Sequence, residues 1–331
     1  MPWIRLVLGL LASISAYVAI NLFLSDRQDS RFVRDLSIPK VATAESLRGQ
    51  RKILIVGGSN ALYGLRCAVL RERLELPCVN LTTGVPVGLD ILLTRARPYI
   101  EPGDVVLTPF EYEFFSEDEQ TILTKRLGNT YLLAFDRPLM LELGWRKALA
   151  AIFGMSFEDM VSRAIERVLV DTGILIPWHN RARITPEGDI AGATKEVGAD
   201  YVASLERATA FGPAPSMLAT DPVPYGTRMI REFLHEMRRR GATTIGMLPT
   251  TFDDARLEPA YAGHLRALYE ECGGLFLDLP NEARFPREMF YDMAYHLAEP
   301  AQLQHSEQVA AMIAARLGVP PTGLPAATDC P

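Results

Sequence analysis

Two kinds of hydrophobic pattern run along this chain. The first is a single uncharged run over residues 6–24, interrupted mildly by Gly9, Ser13, Ser15 and Asn21. As a helix it rises about 28 Å at 1.5 Å per residue, near the hydrocarbon thickness of a bilayer. Residues 25–50 are polar and mixed in charge, and read as a short tether or first helix. The second pattern starts at residue 52, where short apolar runs alternate with segments of helical spacing. KILIVGG (52–58) is the form of a buried parallel strand ending in glycines, and PCVNL (77–81), DVVLTP (104–109), TTIGMLP (243–249) and LFLDL (275–279) repeat it. Helical segments are expected at 61–74, 89–100, 227–240, 256–272 and 306–317.

Strands alternating with helices imply right-handed βαβ units, hence an α/β fold: a three-layer sandwich with a central parallel sheet covered on both faces. Ligands in such sheets sit at the carboxyl ends of the strands, which selects residues 57–60, 82–88, 108–113 and 248–254. Residues 110–242 are too many for a plain crossover. SEDE (116–119) reads as a capping box opening a helix, and 138–169 is rich in Leu, Ala, Met and Phe at helical spacing. We therefore expect a mainly helical insertion at about 110–226, within an α/β domain of residues 26–331.

Composition narrows the function classes. The 331 residues are 48% hydrophobic and 22% charged, enough for a sizeable core. The net charge is -6 and no region has the basic density of a nucleic-acid footprint. The mean hydropathy of +0.08 is raised by the N-terminal run. Residues 1–25 read as a transmembrane anchor or as a signal peptide. Arg5 ahead of the run favours a cytoplasmic N-terminus, and both readings export the remainder to the periplasm or the outside of the cell. Four cysteines without a CxxC pair argue against zinc knuckles and thioredoxin-type redox chemistry. Cys67 and Cys78 are close enough to pair in an oxidising compartment, although nothing in the sequence demands it.

Two segments carry candidate chemistry. In ILIVGGSN, Ser59 follows a buried strand on a glycine-flanked turn and a helix begins at once, so backbone N–H groups converge around a nucleophile. A helix-capping serine is the plain alternative. A dinucleotide site would need G-x-G-x-x-G and an acidic residue ending the second strand, and both are missing. Near the C-terminus, Asp292 precedes His296 by four positions among aromatics. An acid so placed can hold the imidazole in one tautomer and leave the other nitrogen to act as a base. Trp178, His179 and Asn180 could stack against a sugar ring or pack on their own domain. Asp253 and Asp254 read as a solvated helix start. His235, His264 and His305 have no partners at ligand spacing, so no metal and no cofactor is expected.

The order of Ser59 after the first strand and Asp292 with His296 after the last resembles the SGNH (GDSL-like) hydrolase superfamily. It looks most like the membrane-anchored, exported branch related to the alginate O-acetylation and teichoic-acid D-alanylation proteins, to which CVNLTTG and PGDVVLTPFEYEFF also look similar. The resemblance implies a flavodoxin-like sheet, with Ser59 as nucleophile, His296 as general base and Asp292 as its orienter. It implies oxyanion donation from the backbone at Ser59 and Gly84, with Gly58 in the nucleophile turn. The family's asparagine after the third strand has no counterpart, so that side-chain donor is either missing or supplied by Asn60 or Tyr112. The implied activity is serine O-acyl transfer, of acetyl, to a cell-envelope or secreted polysaccharide, with a membrane-bound O-acyltransferase partner supplying the acyl group. An exported carbohydrate esterase and a non-catalytic polysaccharide assembly protein are the alternatives.

Overall fold

The structure is a computed structural model and describes residues 2–174, 183–194, 205, 223–255, 257 and 259–317. The chain divides into two compact units, one formed by Met1–Asp35, Pro86–Ile91 and Gln120–Asn180, the other by Leu36–Val85, Leu92–Glu119 and Arg181–Pro331.

The larger unit has the expected α/β fold. Its sheet has five parallel strands: β1 (Ile53–Ile55), β2 (Cys78–Asn80), β3 (Val105–Thr108), and two more that follow the helical segment. Two short pairs lie outside the sheet, β4 (Arg183–Ile184) with β5 (Ile190–Ala191), and β7 (Thr251–Phe252) with β9 (Arg284–Phe285). The fourth and fifth sheet strands are β6 (Thr243–Met247) and β8 (Leu275–Leu277), giving the order β2-β1-β3-β6-β8. Strand β1 pairs on one side with β2, Ile53 opposite Cys78, and on the other with β3, Ile53 opposite Val105. Its residues are buried throughout, as strands covered on both faces must be. At its lower end Lys52 is fully buried and pairs with Asp104 at 3.0 Å and Glu101 at 2.7 Å, so the charge enters the core with its partners.

The chain moves from β1 to β2 in one direction and from β2 to β3 in the other. With right-handed crossovers, this reversal puts the connecting helices on opposite faces. Helices α3 (Ser59–Gly64) and α4 (Cys67–Leu74) connect β1 to β2. Helix α5 (Leu89–Ala96) leads to β3, and α6 (Tyr112–Ser116) follows that strand. Helices α12 (Tyr225–Arg239) and α13 (Pro259–Glu271) pack together beneath β6, and α14 (Glu299–Leu317) returns to pack on α3 and α4. The expected single helix over 61–74 is broken, because Leu65 and Arg66 are extended. Tertiary contacts fix that break: the Arg66 guanidinium pairs with Glu299 and donates to Gln302 of α14, and the Arg66 backbone N–H donates to Ser306 Oγ at 2.8 Å. Cys67 and Cys78 form a disulfide between α4 and β2. The last helix begins at Glu299 rather than Ser306, with Pro300 in its first turn, where a missing N–H costs nothing.

The smaller unit is helical. It contains α1 (Pro2–Ser25), the first part of α2 (Gln28–Ser46), and α7 (Glu119–Leu123), α8 (Arg126–Phe135), α9 (Arg137–Glu142), α10 (Trp145–Phe153) and α11 (Phe157–Asp171). Helix α1 is long and apolar enough to cross a membrane, a property it shares with signal sequences. The unit's core joins Val33, Val87, Ile91, Leu132, Leu139, Met140 and Ala151. Lys147 is buried there against Asp90 at 2.8 Å. Ser116 does not open a helix. It ends α6 and donates back to the Glu113 carbonyl, whereas the reciprocal capping box of this region is Ser156 with Asp159 at the start of α11.

Candidate active site

The strand order reverses between β1 and β3, and in open parallel sheets ligands bind at the strands' carboxyl ends at such a point. Two turns meet there, Gly57-Gly58-Ser59-Asn60 after β1 and Thr108-Pro109-Phe110-Glu111 after β3. Ser59 is the first residue of α3 and is half-exposed, while its neighbours Gly58 and Asn60 are buried. The turn after β2 lies alongside, with the Thr83 N–H donating to the Gly57 carbonyl at 3.2 Å, which brings Gly84 to the same rim.

Glu111 organises the turn that carries Ser59. It is fully buried, and its two carboxyl oxygens accept from the N–H of Gly58 at 3.0 Å and of Asn60 at 2.9 Å. These bonds bracket Ser59, so the acid fixes the backbone on both sides of the hydroxyl. The glycine at 58 has a steric reason: a β-carbon there would lie on the Glu111 carboxyl oxygens. Burial pushes the Glu111 carboxyl up to about 8, against the two N–H bonds that favour its ionised form. The Gly58 N–H is thus committed to Glu111. The N–H groups of Ser59 and Gly84, in contrast, have no hydrogen bond among the described residues.

His296 and Asp292 stand on a tight loop, not a helix. The loop is closed by an antiparallel bridge between Phe290 and Leu297, both buried with Phe252, Phe285 and Ala294. The Tyr291 N–H donates to the His296 carbonyl at 2.7 Å, and the Tyr295 carbonyl accepts from Thr250 Oγ1 at 2.9 Å. Within that frame His296 Nδ1 lies 2.6 Å from Asp292 Oδ1. The imidazole stacks on the ring of Tyr63, with centroids 4.0 Å apart. Tyr63 is four residues after Ser59 on α3, so the two share one face of that helix. The imidazole is therefore held beside the helix that Ser59 opens. Its Nε2 is buried without a hydrogen-bond partner among the described residues, and no hydrogen bond joins it to Ser59 Oγ.

The remaining residues singled out by the sequence divide. Asn60 Oδ1 is buried without a partner beside the turn. Tyr112 sits in an aromatic group with Tyr261, at 5.1 Å, and Tyr295, its hydroxyl buried and unpartnered. Burial raises its pKa, so it stays a phenol. Tyr295 donates to Glu113 at 3.0 Å. Asp254 forms an exposed ion pair with Arg287 at 2.9 Å. His305 is buried within α14, edge-on to Phe285, and burial pushes it down to about 4. His264 Nδ1 meets the Ala260 carbonyl of its own helix. No cluster of metal-ligating side chains occurs among the described residues. Trp178, His179 and Asn180 lie outside the described residues.

Sequence reasoning passed over two residues, Glu111 and Tyr63. Glu111 carried a usable signal, an acid directly after a buried strand at a carboxyl end. Tyr63 carried the Ser59 + 4 helical spacing.

No family model matches the chain, and no curated protein matches it. Among solved structures it is similar to the crystal structure of protein YxiM from Bacillus subtilis, at 13% identity and a TM-score of 0.38, over 82% of this chain and 57% of that one. The chain spans a little over half the length of that protein.

Proposed function

We propose that this protein is an exported, membrane-anchored serine acyl-transfer enzyme, with Ser59 as nucleophile, His296 as general base and Asp292 as orienter of the ring. The observation that carries the reading is the Asp292–His296 bond of 2.6 Å, with the opposite ring nitrogen unpartnered and the ring stacked one helical turn from Ser59. Asp292 holds the proton on Nδ1, which leaves the Nε2 lone pair as acceptor.

Ser59 Oγ attacks the acyl carbonyl as its proton passes to His296 Nε2. The N–H groups of Ser59 and Gly84 are the donors available to the oxyanion. Collapse expels the donor's leaving group, which takes the proton from Nε2, and the acyl group remains esterified to Ser59. An acceptor hydroxyl then gives its proton to Nε2 and attacks the ester, and that proton returns to Ser59.

Acetyl as the acyl group, an envelope or secreted polysaccharide as acceptor, and a membrane-bound O-acyltransferase as donor rest on the resemblance of the GGSN and DMAYH segments. Export is supported by the Cys67–Cys78 disulfide, a bond that persists in oxidising compartments. The test is Ser59→Ala in the native cell. Loss of O-acetyl groups from the envelope polysaccharide is expected, and unchanged acetylation overturns the transferase reading.

A further inference from the structure

The helical unit carries an unusual outer surface. On α10, Trp145, Leu149 and Phe153 recur at intervals of four and are exposed, and on α11 Phe157, Val161, Ile165 and Val168 form a second exposed apolar row. Phe157 is 81% exposed and Trp145 72%. Exposed apolar rows of this kind mark a contact with another phase or another molecule.

Helix α1 says which. Its uncharged run is bounded by Arg5 and Asp26, so residues 6–24, about 28 Å of helix, must cover the roughly 30 Å of hydrocarbon almost completely. Within that run only residues 6–16 are exposed at every position, about 16 Å of rise. The remainder of the crossing falls on residues 17–24, one side of which, with Tyr17, Asn21 and Leu24, packs against the unit's own helices. Tyr17 stacks on Phe153 at 6.0 Å and donates to the Met155 carbonyl at 2.8 Å. Asn21 is buried and donates to the carbonyls of Ile152 at 2.6 Å and Ala151 at 3.3 Å. The corner between α10 and α11 is therefore level with a part of α1 that lies inside the bilayer.

The corner suits that depth. A helix end in lipid must have its open carbonyls satisfied from within. Here the Ala150 carbonyl accepts from Gly154, those of Ala151 and Ile152 from Asn21, and that of Met155 from Tyr17. The first turn of α11 is closed by the Ser156–Asp159 box, with Asp159 also paired to Arg126. Phe153 and Phe157 point outward, and the exposed Glu158 beside them limits the insertion to the interfacial layer.

We propose that the α10–α11 corner, with Phe153 and Phe157 at its tip, is a lipid-binding surface seated in the outer boundary of the membrane that α1 crosses. Helix α1 is then a retained anchor whose last third packs into the helical unit. The inference rests on α1 and its packing, and stands apart from the chemistry at Ser59.

The test uses the full chain in phosphatidylcholine–phosphatidylglycerol liposomes. Trp3, Trp145 and Trp178 are replaced by Phe, and Phe157→Trp supplies the probe. A second chain carries Phe153→Trp instead, in case one probe perturbs folding. Blue-shifted emission is expected, with most of the fluorescence lost to lipids brominated near the headgroup end of the acyl chain and none to iodide. Iodide quenching without bromolipid quenching at both probes overturns the proposal. Protection from both quenchers also overturns it, since a second copy of the chain would then cover the corner.

Discussion

Removing the Glu111 carboxyl tests how the turn around Ser59 is held. Glu111→Ala strands the buried N–H groups of Gly58 and Asn60. Each buried donor left without an acceptor costs about 1–3 kcal/mol, so the loss of both costs about 2–6 kcal/mol. Glu111→Gln keeps one acceptor oxygen and turns an amide N–H₂ toward the other donor, for a cost of about 1–3 kcal/mol. Urea unfolding of the full chain in detergent measures both losses. Activity falls with them, because the two bonds fix the backbone flanking Ser59. The pH dependence supplies a second reading. Burial raises the Glu111 carboxyl from 4.5 to about 8. Between those values the folded protein keeps a proton that the unfolded chain has released, so this group's contribution to stability is whole below about 4.5 and declines as pH rises to about 8. Glu111→Gln cannot titrate, and the difference between wild type and variant isolates the group from His305. The reasoning is refuted if both variants stay within about 0.5 kcal/mol of wild type, the scatter of ordinary surface substitutions.

Three further outcomes are expected. Gly58→Ala places a methyl group on the Glu111 carboxyl oxygens, which costs about 1–3 kcal/mol by overpacking and displaces Ser59, measured by urea unfolding and by turnover of an aryl acetate. Asp292→Asn removes the acid that selects the His296 tautomer while leaving the loop intact, so kcat falls by about 10²–10⁴ with little change in Tm. Reducing the Cys67–Cys78 disulfide, which closes a short loop between α4 and β2, lowers stability by about 2–3 kcal/mol, and Cys67→Ser with Cys78→Ser reproduces the loss without reductant.

Legibility in the sequence followed the range of the interactions. The five sheet strands were legible because a strand buried on both faces must be written as a continuous apolar run, and all five runs lie where expected. The two turns at the crevice follow from that, because parallel topology sends carboxyl ends to one rim. What local pattern could not reveal was contact between distant segments. The break at Leu65 and Arg66 depends on α14, more than 230 positions away in sequence. Asn21 looked like a mild interruption of an apolar run, and its role depends on the open carbonyls of α10. Glu111 stood where a family asparagine was sought, and its partners on the β1 turn become visible only when β1 and β3 pair. Ser116 misled because the S-x-x-E spacing that opens a helix also occurs by chance where one ends.

The central claim is that Ser59 carries an acyl group. Incubating the full chain in detergent with an activated aryl acetate, and reading intact mass followed by peptide mapping, measures it directly. One acetyl group on Ser59 is expected, absent in Ser59→Ala and in His296→Ala, and transferred faster when a sugar hydroxyl is supplied than to water. A folded chain that takes up no acetyl group, or takes it up equally after Ser59→Ala, rules out Ser59 as the nucleophile.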